Sequence, residues 1–176
     1  MSTDEELMMR AADGDMDAFE DLVRRHQETA LNTAYHFLGN TSRAEDIAQE
    51  AFLKILAGAS RYRPTAKFTT YLYNVVWHLC VDTYRKSRPQ ALPEAPRRAD
   101  PVNEPDRAAL REETSDLVRK AIDDLPARQR MALVLQHYED LSYEEIAEAL
   151  DCTTSAVDSL LVRARRALRE SLEHLL

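Results

Sequence analysis

A length of 176 residues allows one ordinary domain or two small ones, and 44% hydrophobic with 31% charged residues is typical of globular chains. The low glycine content, three residues in all, favours helix over sheet. The sequence lacks an apolar run of about 18 residues that would predict membrane insertion, and its acidic start "MSTDEELMMR" is unlike a secretion signal. The formal net charge of −8 argues against a protein that coats nucleic acid through its whole surface.

The first half of the chain is predicted to form four helices. The first is short and acidic, and the fourth runs from about Thr69 to Lys86. The fourth carries an apolar face at i, i+3, i+4, i+7 and i+8, made of Leu72, Val75, Val76, Leu79 and Cys80. The residues predicted to start or stop the first three helices are Gly14, Asp15, Gly39, the capping-box pair Ser42 and Glu45, and Gly58.

A proline-rich stretch follows the fourth helix. Closely spaced prolines break helices, and this stretch contains Pro89, Pro93, Pro96, Pro101 and Pro105. We therefore predict one domain over 1–88, a flexible linker over 89–114 and a second domain over 115–176. The predicted fold class is all-α, with two helical domains joined by a proline-rich linker.

The second domain is predicted to end in a helix-turn-helix. Pro126 starts one helix, Ser142 and Glu145 form a capping box for the next, and the last begins near Thr154. Recognition helices place their first turns at base edges and later cations on phosphates. The outer face of the last helix fits this order, with Thr154, Ser155, Asp158, Ser159, Val162, Arg163, Arg166 and Arg169. The pattern alone leaves a plain helical pair possible, and the run of arginines favours DNA.

Residues 62–84 hold half of the chain's Phe, Trp and Tyr residues, and basic residues bracket them on both sides. Rings that stack on unpaired bases, with cations on the phosphates, are typical of single-strand binding. The alternative is that Trp77 and some of the tyrosines complete a small core. The basic bracket favours nucleic acid. The aromatic residues are Tyr62, Phe68, Tyr71, Tyr73, Trp77 and Tyr84.

The third helix carries a mostly polar stripe opposite its apolar face, with Asp46, Gln49, Glu50, Leu53 and Lys54. Such a stripe is either a solvated helix face or a contact for a protein partner.

The sequence contains no pattern typical of catalysis. His78 is a single histidine, and Cys80 and Cys152 lie far apart without a CxxC pair. We find no nucleophile–base pair, phosphate-binding glycine loop or metal-ligand spacing in the sequence. We therefore expect no enzymatic activity, no cofactor and no metal, and a reducing, cytoplasmic setting.

In order along the chain, these segments resemble the extracytoplasmic-function group of bacterial RNA polymerase sigma factors. The start of sigma region 2 is similar to "DAFEDLVRRHQETALNTAYHFLGNTSRAEDIAQEAFLKIL", and its promoter-melting part to "KFTTYLYNVVWHLCVDTYRKSRP". Region 4 is similar to "DDLPARQRMALVLQHYEDLSYEEIAEALDCTTSAVDSLLVRARRALR". The helix-turn-helix alone also resembles effector domains of response regulators.

The resemblance implies a factor that binds core RNA polymerase and directs promoter-specific initiation. It also implies promoter DNA and an anti-sigma factor as partners, and we expect a monomer when free. The implied contacts to polymerase are Asp46, Gln49, Glu50 and Leu53. The implied contacts to the −10 element are Arg61, Arg63, Lys67, Tyr71, Asn74, Trp77, His78, Arg85 and Arg88. The implied contacts to the −35 element are Thr154, Ser155, Asp158, Ser159, Val162, Arg163 and Arg166.

Four positions depart from the family pattern. Tyr71 stands where the family usually has Trp, and His78 where it often has Asn. Asp158 and Leu160 each replace a frequent cation. A carboxylate at Asp158 is either stabilised by the helix dipole, by about 0.3–1 kcal/mol, or accepts a hydrogen bond from a cytosine amino group.

Two other functions are weighed against the sigma factor. A stand-alone helix-turn-helix regulator would bind duplex DNA tightly without polymerase, usually as a dimer on paired half-sites. A sigma-like protein that only sequesters a partner would bind polymerase without directing transcription. Asp158 favours the second alternative, and the aromatic-basic segment disfavours it.

Overall fold

The computed structural model describes residues 1–87 and 105–175, and the predicted linker lies largely outside these ranges. All regular structure in the described ranges is helical, which confirms the all-α prediction. The eight α-helices found there are α1 (Asp4–Ala12), α2 (Met16–Leu38), α3 (Thr41–Ala57), α4 (Phe68–Ser87), α5 (Pro105–Asp123), α6 (Ala127–His137), α7 (Tyr143–Ala149) and α8 (Thr154–Leu172). We call α1–α4 the N-terminal unit and α5–α8 the C-terminal unit.

Most of the predicted helix ends are where the capping residues place them. Asp15 accepts a hydrogen bond from the Ala18 amide and caps α2, and Ser142 forms the predicted capping box with Glu145 at the start of α7. The predicted pair Ser42 and Glu45 is wrong. Helix α3 already begins at Thr41, so its cap is the Asn40 side chain, which accepts from the Arg43 amide at 2.9 Å.

Helix α5 begins inside the predicted linker. Its first residue is Pro105, whereas the sequence pattern predicts a start near Ser115. Proline is tolerated in the first turn of a helix because the amide that it lacks would have no helical partner there. The last of the five prolines therefore starts a helix instead of extending the linker.

The core of the N-terminal unit lies between α2, α3 and α4. The apolar faces predicted for α3 and α4 supply it, and Ile47, Ile55, Leu72 and Val76 are buried. The helical spacing of α8 predicts a buried seam of Val157, Leu161, Ala164 and Leu168. The first three are buried, whereas Leu168, near the end of the helix, is partly exposed. The two cores meet where α6 and α7 pack on α2 and α4.

Two arginines of the C-terminal unit bind the end of α2. Arg119 donates to the carbonyl oxygens of His36 and Phe37 at 2.8 and 3.1 Å, and Arg130 donates to the Phe37 carbonyl at 3.2 Å. The last carbonyls of a helix have no partner within the helix and carry partial negative charge. The guanidinium groups therefore satisfy the end of α2 and join the units.

Arg130 is buried, with 3% of its surface exposed. Its guanidinium lies 4.9 Å from the ring centroids of both Phe37 and Tyr84, and it also donates to the carbonyls of Asp123 and Leu125. A buried charge is tolerated when hydrogen bonds and aromatic faces surround it. Arg130 is thus part of the core that the two units share.

The turn after α2 requires glycine for two reasons. Gly39 has φ +68°, and a Cβ atom at this position would lie 2.5 Å from the Arg119 guanidinium. Gly14 has φ +95° with no neighbouring atom within 4 Å of such a Cβ. Substitution of Gly14 therefore introduces backbone strain alone, whereas substitution of Gly39 introduces the same strain and a clash with Arg119.

We expect Gly39→Ala to lower the free energy of unfolding more than Gly14→Ala does. Both variants carry a left-handed backbone cost of roughly 1–2 kcal/mol. Only the first displaces Arg119 from its two carbonyls, which adds about 1 kcal/mol or more. Urea unfolding of the two variants measures the difference, and equal losses would show that Arg119 contributes nothing to the end of α2.

Candidate functional site

The segment between α3 and α4 forms one wall of a cleft. Tyr62 is buried, and its ring lies 5.5 Å from that of Tyr71. The cleft encloses about 610 Å³, and the polar or charged side chains of the N-terminal unit that line it are Lys54, Arg61, Tyr62, Arg63, Thr65, Lys67, Thr70, Tyr71 and Asn74. Cations therefore meet the rings of Tyr62 and Tyr71 there, whereas the other four aromatic residues of the segment do not line the cleft.

The start of α4 is held by a residue that sequence reasoning missed. A Glu5 carboxylate oxygen accepts a hydrogen bond from the Phe68 amide at 2.7 Å. Glu5 lies on α1, so a helix far away in sequence supplies the partner for a free amide at the start of α4. The only sequence signal is the acidic character of α1, and it does not indicate this partner.

The residues predicted to contact the −10 element differ in accessibility. Arg61, Arg63, Lys67, His78 and Arg85 are exposed, and Tyr71 and Asn74 are partly exposed. Trp77 is buried, with 4% of its surface exposed, and Arg88 lies outside the described residues.

The aromatic residues on the outer side of α4 face the C-terminal unit. The Tyr73 hydroxyl donates to Glu139 at 3.0 Å, and burial raises the pKa of Tyr73, so the hydroxyl stays protonated. The Trp77 ring packs edge-on against Phe37, and the Arg128 guanidinium lies 5.9 Å from the Trp77 ring centroid. In this arrangement the rings form part of the interface between the two units.

The first half of α4 also contacts α7 and the turn that follows it. The Lys67 ammonium lies 3.1 Å from Glu145, and the Asn74 amide donates to the Ala149 carbonyl and to Asp151, each at 2.9 Å. Glu148 and Asp151 line the cleft opposite the cations. The sequence pattern does not indicate these contacts, because they join residues more than seventy positions apart.

The outer face of α8 is open to solvent. All seven residues predicted to contact the −35 element are exposed, and the Thr153 side chain caps the helix through the Ala156 amide at 3.1 Å. Asp158 is the fifth residue of α8, beyond the four amides that lack helical partners. Because the dipole effect falls off within the first turn, it accounts poorly for this carboxylate. Arg165 is turned away from the face and donates to Gln136 of α6.

The polar stripe of α3 borders an apolar groove. Asp46, Gln49, Glu50 and Leu53 are all exposed, and 66% of the Leu53 surface is accessible. The groove between α2 and α3 encloses about 620 Å³, and its apolar lining consists of Phe19, Val23, Leu31, Ala48, Phe52 and Leu53. Phe19, Val23 and Leu31 are partly buried and pack against the hydrophobic core, so each also presents an accessible apolar surface to the groove.

The described residues include no group of His, Cys, Asp and Glu side chains arranged to hold a metal ion. Nor does any helix within 1–87 or 105–175 have the length and apolar character to cross a membrane.

Comparison with known proteins identifies the family. Residues 22–90 match the family model of sigma-70 region 2, and residues 115–168 match that of sigma-70 region 4. The ECF RNA polymerase sigma factor SigW of Bacillus subtilis is 33% identical over 92% of this chain and 92% of its own length. This chain belongs to the extracytoplasmic-function sigma factors. The RNA polymerase sigma-H factor of Pseudomonas aeruginosa is 32% identical over 98% of the sigma factor described here and 95% of its own length.

Solved structures share the fold of this sigma factor. CnrH, in complex with the cytosolic domain of CnrY, is 25% identical, with a TM-score of 0.74 over 98% of this chain and 99% of CnrH. The sigma factor RpoE of Bartonella quintana, in complex with the anti-sigma factor NepR, is 21% identical, with a TM-score of 0.63 over 88% of this chain and 96% of its own. The second likeness extends to the fold alone.

The single tryptophan of this sigma factor reports on the contact between its units. We expect fluorescence from Trp77 to be blue-shifted and weakly quenched by iodide in the free protein, because Phe37 and Arg128 cover the ring. Stern–Volmer quenching measures this, and the same protein unfolded in urea gives the reference for a fully accessible ring. Quenching as strong as in urea would contradict the packing of α6 against α4.

Proposed function

We propose that this sigma factor binds core RNA polymerase through the α3 stripe and the groove beside it. A partner helix with an apolar face fits an apolar groove with a polar rim, and Leu53 supplies an exposed apolar contact at its edge. In the family, region 2 binds the clamp helices of the largest polymerase subunit. The exposed positions Asp46, Gln49 and Glu50 support the same role for the stripe.

The cleft between α3 and α4 is proposed to hold the melted −10 strand. Lys54, Arg61 and Arg63 provide positive charge for phosphates, and Tyr71 provides a partly exposed ring beside them. A volume of about 610 Å³ gives room for an unstacked base. The role of Trp77 in DNA binding remains a prediction that requires the two units to separate.

The exposed face of α8 is proposed to read the −35 element. Ser155 and Ser159 lie in the first turns, where a recognition helix meets base edges, and Arg163 and Arg166 follow where phosphates are expected. Asp158 lies beyond the helix start and is exposed, which supports base reading over dipole stabilisation. An aspartate there would accept a hydrogen bond from a cytosine amino group.

The observation that carries the proposal is the coexistence of two surfaces on one chain. An apolar groove with an exposed leucine suits a protein partner, and a separate helix with an open polar and basic face suits duplex DNA. A stand-alone helix-turn-helix regulator does not require the first surface. A sequestering protein does not require the second.

Run-off transcription tests the function directly. Core RNA polymerase is incubated with a pool of genomic promoter fragments, with and without this sigma factor. Protein-dependent transcripts that share upstream motifs support the proposal, and their −35 bases show whether Asp158 selects cytosine. Stable polymerase binding without transcripts would favour sequestration. If the protein neither binds polymerase nor directs transcription, the stand-alone regulator is favoured.

We also propose an anti-sigma factor as a regulator and the cytoplasm as the site of action. CnrH was solved in complex with the cytosolic domain of CnrY. This sigma factor and CnrH match over 98% and 99% of their lengths, respectively. Co-purification of the tagged sigma factor from its host, with and without an inducing stress, tests for such a partner.

We expect Leu53→Asp to weaken binding to core polymerase at least tenfold. Burying a leucine contributes about 1.5–3 kcal/mol, and about 1.4 kcal/mol corresponds to a factor of ten. Fluorescence anisotropy with core polymerase measures the affinity. Met9→Asp is the matched control, because Met9 is also an exposed apolar residue and lies on α1. Equal affinities for the two variants would exclude the groove edge as a contact.

We expect Arg163→Ala to weaken holoenzyme binding to −35 duplexes of every sequence. The slope of the logarithm of the binding constant against the logarithm of the salt concentration should also become shallower by about one unit. Arg165→Ala removes the same charge from a side chain that points toward Gln136, so its effect should be smaller. Electrophoretic mobility shifts over a salt series compare the two. A loss confined to one base pair would instead identify Arg163 as a base reader.

A further inference from the structure

The acidic edge of the C-terminal unit contacts part of the proposed −10 surface. We define this acidic edge as Glu145, Glu148 and Asp151, at the start, end and following turn of α7. Glu145 pairs with Lys67 at 3.1 Å, and Asp151 accepts from Asn74 at 2.9 Å. Glu148 and Asp151 form the wall of the cleft that faces its cations.

The chemistry of the acidic edge resembles that of a nucleic-acid backbone. A phosphate would offer negatively charged oxygen acceptors to a lysine ammonium and an asparagine amide, and carboxylates offer the same here. The Ser142 amide and the Lys67 ammonium lower the pKa of Glu145, so this carboxylate is charged at neutral pH. DNA phosphates approaching the cleft would therefore meet like charges and occupied donors.

A second set of contacts holds the acidic edge in place. Glu139 accepts hydrogen bonds from the hydroxyls of Thr33 and Tyr73, each at 3.0 Å. The rings of His36 and Tyr138 stack with their centroids 3.6 Å apart. Burial lowers the pKa of His36, so its ring is neutral at pH 7. Together with Arg119 and Arg130, these groups join the two units.

The other two proposed surfaces stay accessible in the same arrangement. The α3 stripe and the outer face of α8 are exposed, whereas Asn74 is partly buried and Trp77 is buried. The contact between the units therefore affects one function selectively.

We propose that α7 is an intramolecular inhibitor of −10 binding, whose acidic edge occupies the DNA-binding cleft of α4 until the two units separate. The inference rests on the proposed assignment of that cleft to the −10 strand. Free protein would then bind single strands poorly, while its polymerase-binding and −35 surfaces remain available.

The test uses the full-length chain and a fluorescein-labelled, mixed-sequence single-stranded DNA. The first variant combines Glu145→Gln, Glu148→Gln and Asp151→Asn. These changes preserve folding, because Gln also serves in a capping box and Asn tolerates the left-handed backbone of Asp151, whose φ is 53°. A control with the same change in net charge combines the exposed positions Asp13→Asn, Asp17→Asn and Glu170→Gln.

We expect the first variant to bind the single strand about fivefold or more tightly than the wild type, in the range of ordinary coupling between sites. The control should gain much less, and iodide should quench Trp77 more strongly in the first variant only. Equal gains in the two variants would overturn the inference, because they would reflect net charge alone.

A second variant opens the units without touching the acidic edge or the cleft. Glu139→Ala removes the acceptor shared by Thr33 and Tyr73, and it should raise both Trp77 quenching and single-strand affinity. Unchanged affinity despite increased quenching would overturn the inference.

One further comparison separates this failure from failure of the −10 assignment. Adding Arg61→Ala and Arg63→Ala to the first variant should cancel its gain. A gain that persists would show that the strand binds elsewhere, which contradicts both the inhibition and the assignment of the cleft.

Discussion

The arrangement of this sigma factor depends on how the C-terminal end of α2 is satisfied. This helix has 23 residues, and its last carbonyls carry partial negative charge where the two units meet. Arg119 and Arg130 bind these carbonyls from the other unit, and Arg130 is buried between the rings of Phe37 and Tyr84. This anchor places α6 and α7 against α4, where the contacts of Glu139 and Asn74 add to it.

The anchor and the acidic edge differ in physical character. Arg130 is buried, so the hydrogen bonds that it donates are little affected by salt. The Lys67–Glu145 pair is largely exposed and is screened at physiological ionic strength. The contact between the units is therefore strong at the end of α2 and weak over the cleft. With this difference in strength, the acidic edge can leave the cleft without either unit unfolding.

Local sequence signals account for the helices and for the face of α8. Asp15, Ser142 and Gly39 act on neighbours a few residues away, and the polar face of α8 follows from helical spacing alone. Ser42 failed as a cap because Asn40, two residues earlier, competes for the same role. Short-range chemistry of this kind is visible in a sequence, although the choice between adjacent candidates is not.

The groove, the covered cleft and the burial of Trp77 could not be predicted in the same way. Phe19 and Leu31 are accessible because α2 and α3 leave a groove between them, and a sequence pattern does not show how closely two helices pack. Whether the ring of Trp77 faces DNA or protein depends on Arg128, a residue of the other unit. An aromatic-basic pattern suits a base, a guanidinium or a carboxylate, so it identifies the surface and not its occupant.

The hydrogen bond from the Phe68 amide to Glu5 has a consequence for dividing the protein into parts. The region 2 family match begins at residue 22, whereas the partner of this amide lies on α1. A fragment cut to the family boundaries would lose that carboxylate and leave the start of α4 without it. The smallest piece of the chain that retains the start of α4, and with it the shape of the cleft between α3 and α4, therefore includes α1, and dissection experiments should begin before Glu5.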